Sequence, residues 1–136
     1  MLKLNKRKSI LSHRLPFVGG KSKNGSGHSF WNVPSTGGFG GGCETGTALA
    51  LIFLKNLEEE VRSGNNYCPS TLSNIVTEMM SIGFNDSING QAVGFFSVIE
   101  DILLKLLRTN TISLSKTEQE LLSQANNGLA YKEEKE

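Results

Sequence analysis

The sequence predicts a small, mainly α-helical domain: about four helices, with an extended N-terminal segment or short β-hairpin packed across them. Three observations carry that expectation. Between residues 47 and 130, apolar side chains recur at helical spacing in three stretches, and a capping motif opens a fourth. Residues 14–46 hold only short apolar patches, broken by Gly, Pro and Ser. The length of 136 residues suits one domain and leaves little room for a second core.

The elements follow in order. Residues 1–13 read as a flexible basic arm, since they sustain no apolar period and chain ends order only when docked. Leu15-Pro16-Phe17-Val18 is an apolar patch whose proline suits an edge strand or a docked extended segment. Gly19-Gly20 punctuates it, and residues 21–27 form a polar loop. Residues 28–33 alternate as a strand would, and Pro34 ends them. The run Gly37-Gly38-Phe39-Gly40-Gly41-Gly42 is too flexible for helix or strand, and predicts a close-approach loop or hinge. The domain therefore reads as extended and Gly-rich over 14–46 and helical over 47–130.

Thr45 or Thr47 can cap the first helix, which runs to about Arg62 with Ala50, Leu54, Leu57 and Val61 on one face. Pro69 suits the first position of a second helix, in which Leu72, Ile75, Val76, Met79 and Met80 keep the period until Gly83. Asn89 can cap a third helix running to about Arg108. Its stripe of Ala92, Phe95, Phe96, Ile99, Ile102, Leu103 and Leu106 is the broadest in the chain and marks it as central. Ser115-Lys116-Thr117-Glu118 is a capping box for a short last helix, closed by Asn127-Gly128. Residues 131–136 form a charged tail.

Charge divides the chain sharply. Residues 1–43 hold seven Lys/Arg and no Asp or Glu; residues 44–136 hold the other seven and all 13 acids. The first third is thus at +7 and the rest at −6, although the whole is only +1. Such asymmetry suggests an anionic partner for the basic part, or an acidic surface on the same or another subunit. The longest apolar run, residues 48–54, is far short of the roughly 20 residues that span a bilayer. The basic start leads into Ser12, His13 and Arg14 rather than a signal-peptide core. The expected location is therefore the cytoplasm, with no membrane partner.

Three kinds of chemistry are conceivable. The glycine run feeding a helix can hold a phosphate, because helix N-termini present free N–H groups and glycines let the backbone approach. It fits no named fingerprint: Cys43 stands where a third glycine would fall, and Glu44 opposes an anion. Cys43, just before a helix start, is a candidate nucleophile, with His28 the nearer and His13 the farther histidine base. Lysines and arginines interleaved with Phe17, Phe30, Trp31 and Phe39 can combine phosphate attraction with base stacking, so a nucleic-acid contact is the third reading. Each feature also has a plain reading: a structural loop, an incidental thiol, and aromatic packing over a helix layer. Two cysteines and two histidines scattered at 13, 28, 43 and 68 do not make a metal site, and nothing in the sequence asks for a cofactor.

Several segments resemble a group of short bacteriophage and prophage proteins. They are Arg14-Leu15-Pro16-Phe17-Val18-Gly19-Gly20-Lys21, Phe30-Trp31-x-Val33, Cys43-x-Thr45-Gly46 before Ala50-Leu51, Ile75-Val76-x-x-Met79, and Gly94-Phe95. The resemblance covers about residues 14–99, with the opening and the Cys-x-Thr-Gly element most specific. It implies a mobile-element accessory protein acting inside a bacterial cell, and brings no activity or site residue with it.

Taken together, the sequence leads to a binding protein rather than an enzyme. It is expected to inhibit or modulate a host component through an anionic partner surface or a phosphate-bearing ligand. The residues expected to make that contact are Arg14, Lys21, Lys23, Trp31, Gly40, Gly41, Gly42 and Thr45. A thiol enzyme using Cys43 with His28, and a nucleic-acid-binding protein, are the alternatives. About 80 helical residues bury only a modest core, so a homo-oligomer is a natural expectation.

Overall fold

The structure, a computed structural model, describes residues 15–22, 27–64, 70–109 and 114–131. The chain is mainly helical. Among the described residues there are two short strands, β1 (Gly19–Lys21) and β2 (His28–Ser29), and four helices: α1 (Gly38–Arg62), α2 (Thr71–Ile82), α3 (Asp86–Arg108) and α4 (Glu118–Leu129). The small domain divides into two compact units, between Ile102 and Leu103. The predicted arm, residues 1–13, and residues 132–136 of the tail lie outside the described residues, as does Pro69.

The N-terminal hairpin is shorter than the sequence suggested. β1 and β2 pair antiparallel, Gly19 opposite Ser29 and Lys21 opposite His28, with a bulge between the two pairs. Gly20 lies in that bulge at φ +64, a conformation that glycine adopts without strain. Residues 30–33 leave the ladder. The Asn32 N–H donates instead to the Phe17 carbonyl at 2.6 Å, which lays the two apolar patches side by side. Both then enter the core. Leu15, Phe17, Val18 and Trp31 are fully buried, together with Leu49, Ala50 and Phe53 of α1, Ile75 and Met79 of α2, and Ile88 and Phe95 of α3. Phe95 is the hub: Trp31 meets it edge-on at 5.3 Å between ring centres, Phe17 at 6.0 Å, and Phe53 tilts against it at 5.9 Å. Edge-on arrangements suit the aromatic quadrupole. The expected central role of the third helix thus holds for its first half.

The glycine run corrects the sequence reading. It is not a loop: α1 begins at Gly38, with Gly37 at the cap position, and neither Thr45 nor Thr47 caps it. Glycine is a poor helix former in isolation, by about 1 kcal/mol relative to alanine. Tertiary packing reverses the preference here. Gly42 and Gly46 lie one turn apart on one face of α1, and Gly90 and Gly94 lie one turn apart on α3. A Cβ on Gly42 would stand 2.5 Å from the Ser87 carbonyl oxygen; one on Gly46 would strike the Gln91 carbonyl. Conversely, a Cβ on Gly90 would strike the Phe39 carbonyl, and one on Gly94 the Cys43 carbonyl. The two helices therefore touch backbone to backbone, as small residues allow.

The other helix ends follow local chemistry. The Asn85 side chain accepts from the Ile88 N–H at 2.9 Å, so the cap of α3 lies four residues before Asn89, which is inside the helix. Thr117, not Ser115, caps α4, accepting from the Glu120 N–H at 3.2 Å. Gly83, at φ +93, follows α2 as expected. Met79 is core, whereas Met80 is exposed. Val61, predicted on the buried face of α1, is 69% exposed.

Candidate functional site

Two features of the first unit are built from residues distant in sequence. The first is a buried polar seam. The Trp31 indole Nε1–H donates to Gln91 Oε1 at 2.7 Å. Gln91 Nε2 donates to Ser87 Oγ at 2.9 Å and to the Pro34 carbonyl at 3.3 Å. Ser87 Oγ in turn accepts from the Thr36 N–H at 2.9 Å and lies 2.8 Å from Thr36 Oγ1. Gln91 is fully buried, and among the described residues no buried side-chain polar atom lacks a partner. A satisfied network of this kind fixes geometry rather than offering chemistry. It ties residues 31–36 to α3 and so sets where α1 begins.

The second feature is a groove along α1, about 790 Å³ in volume. Thr45, Ala48, Leu49, Ile52 and Asn56 recur at three- and four-residue intervals, so one helix face forms its floor. Leu15 and Pro16 supply its wall. Leu15 and Leu49 are buried core residues, so the floor rests on the rigid part of the molecule. Ile52 is 41% exposed, a branched apolar side chain open to solvent inside the groove. The rim is charged: Glu44, Glu58 and Glu59 against Lys55 and Arg62, with Arg62 paired to Glu58 at 3.5 Å. Three carboxylates to two cations, over an apolar floor, suit an apolar segment with a basic flank and disfavour a free anion.

The predicted site residues do not come together. Arg14, Lys23 and His13 lie outside the described residues, and so does Cys68. Lys21 belongs to β1. Trp31 is not a contact surface: 1% exposed, it packs 5.0 Å from Phe17 and spends its N–H on Gln91. Gly40, Gly41 and Gly42 are helical, so no cradle forms, and Gly42 is covered by α3. Cys43 lies in the second turn of α1, half-buried, with its carbonyl facing Gly94. Its position ahead of a helix N-terminus, which supported a reactive thiol, is therefore not realised. His28 is an exposed residue of β2. Of the predicted residues that are described, Thr45 alone reaches the groove. Among the described residues no group of three His, Cys, Asp or Glu can hold a metal ion, and no helix is long and apolar enough to cross a membrane.

Reading by residue type missed Ser87, Gln91 and the groove floor. The polar seam had no local signal, because the bonds between its two segments span 51 to 60 positions. The helix contact did have one: glycines four apart at 42 and 46, and again at 90 and 94. No protein-family model, curated protein or solved structure matches the chain.

Proposed function

We propose that this chain works by binding, and that it seats an apolar segment of a host protein in the α1 groove as an accessory factor of a phage or mobile element. The observation that supports this reading is the groove itself: an apolar floor of Ala48, Leu49 and Ile52, anchored on buried Leu15 and rimmed by unequal charge. Concave apolar sites with a few polar groups at the edge are where proteins take ligands. The resemblance to phage and prophage proteins supplies the setting, and modulation of a host component is the action proposed. The basic residues of 1–43 serve in this reading to attract an acidic surface of the same partner.

The test is affinity capture from a bacterial host lysate with the full chain, with and without nuclease. Ile52→Asp and Ala48→Arg place charge on the floor at solvent-open positions, so the core stays intact. A captured protein that is lost with both variants, and released progressively by salt, supports the reading. Equal capture by the wild type and both variants overturns it. Capture that vanishes with nuclease favours the nucleic-acid alternative.

A further inference from the structure

The wall of the α1 groove, Leu15 and Pro16, directly follows residues 1–14, which lie outside the described residues. Whatever path those residues take, they leave from the lip of the groove. Their sequence has two parts. Ile10-Leu11 is an apolar pair four to five residues before Leu15, and Lys6-Arg7-Lys8 is a basic run just beyond it. With Lys3 and Arg14, the segment holds five Lys/Arg and no Asp or Glu. That is the composition the groove suits: an apolar segment with a basic flank.

Reach and charge both fit. A fully extended chain spans at most ~3.5 Å per residue, so Ile10 lies within about 18 Å of Leu15 and Lys6 within about 32 Å. At roughly 1.5 Å per helical residue, the floor from Thr45 to Asn56 is about 16 Å long, and the rim from Glu44 to Glu59 about 22 Å. The apolar pair can therefore cover the floor, and the basic run can reach the acids at either end. Glu58 and Glu59 stand near the C-terminal end of α1, where the macrodipole adds partial negative charge and favours a cation. Lys55 and Arg62 share that rim, and Arg62 is held by Glu58, so a carboxylate excess remains. A tether this short holds the segment at an effective concentration of roughly millimolar, and a free segment of like composition meets that competition.

We infer that residues 1–14 of the same chain occupy the α1 groove when no partner does, with Ile10-Leu11 over Ala48 and Ile52 and Lys6-Arg7-Lys8 against the acidic rim. The inference rests on the reading of that groove as a binding site. A host segment then enters only by displacing the arm, and the displaced cations are the ones that meet the partner's acidic surface. The arm is a competitor before binding and a contact after it.

Trypsin, which cuts after Lys and Arg, reads the docked state of the full chain through cleavage after Arg7 and Lys8. Leu11→Asp weakens the arm, and Ala48→Arg obstructs the floor at an exposed position. A tether at ~1 mM over a weak contact of Kd ~0.1 mM leaves the arm open about one tenth of the time, so each variant should speed cleavage ~10-fold. Trp31 emission, a reporter of the buried core, should be unchanged in both. Met80→Arg, on an exposed residue of α2, should leave the cleavage rate unchanged. Carbodiimide coupling in an equal mixture of isotope-labelled and unlabelled chains should join Lys6 or Lys8 to Glu44, Glu58 or Glu59 within one isotopic species. Equal cleavage of the wild type and both groove variants overturns the inference. So do links that favour Glu118 or Glu120 over the rim, and links between differently labelled chains, which would make a second copy the occupant. Host capture separates the two readings. A protein captured alike by the wild type and Leu11→Asp, with no link from arm to rim, leaves the proposed function standing and removes the arm. Links from arm to rim without any captured protein do the reverse.

Discussion

Gly40 and Gly46 sit six residues apart in the same helix and should respond oppositely to the same substitution. A Cβ at Gly40 meets nothing within 4 Å, whereas at Gly46 it strikes the Gln91 carbonyl. Gly40→Ala should raise stability by a few tenths to about 1 kcal/mol, through a less flexible unfolded chain. Gly46→Ala should lower it by about 2 kcal/mol or more, because the backbone it meets cannot rotate away. Urea denaturation read through Trp31 emission measures both, and equal effects of the two variants would refute the backbone contact. Gln91→Leu keeps the volume of the buried residue but leaves the Trp31 indole N–H without its acceptor. The expected loss is about 1–3 kcal/mol in the same assay. These roles were only partly legible in the sequence. A glycine announces freedom or close approach, and composition alone does not say which. Gln91 carried no signal of its own, because Trp31, Pro34 and Thr36 reach it from more than fifty residues away.

At the scale of elements, existence was legible and boundaries were not. The apolar periods of α1, α2 and α3 marked each helix, because a 3.6-residue repeat survives whatever surrounds it. Starts depend instead on one capping side chain and on what covers the first turn. The sequence reading put the cap of α3 at Asn89. The Ile88 N–H selects Asn85. Asn85→Ala should therefore cost about 1 kcal/mol. Asn89→Ala, at an exposed site inside the helix, should gain up to about 0.6 kcal/mol from propensity. Thermal melts of the two variants in parallel decide between the two starts. The early start of α1 was hidden for the opposite reason: its glycines argue against a helix locally, and only α3, more than forty residues away, supplies the contact that overrides them.

At the scale of the whole molecule, the buried apolar residues lie between Leu15 and Phe95, and amide protection should follow them. In hydrogen exchange, the buried helices before Leu103 should exchange slowly. α4, in which no residue is buried, should exchange rapidly. Slow exchange throughout α4 would refute that difference. The stripe from Ala92 to Leu106 read as one continuous core face, because a sequence does not show where intramolecular cover stops. The structure buries Phe95 and leaves Leu103 half-exposed on the same helix. The charge split was plainly legible, whereas the groove was not, since it depends on Leu15 and Pro16 standing beside α1. The glycine contact also bears on descent. Four positions, 42, 46, 90 and 94, each exclude even a methyl group on steric grounds. Side chains elsewhere in the core can drift by trading volume with their neighbours, but a main-chain contact has nothing to trade. Two glycine pairs, each four apart, on two helices are therefore the fingerprint by which distant kin of this protein should be recognised, long after its aromatic core has been rewritten.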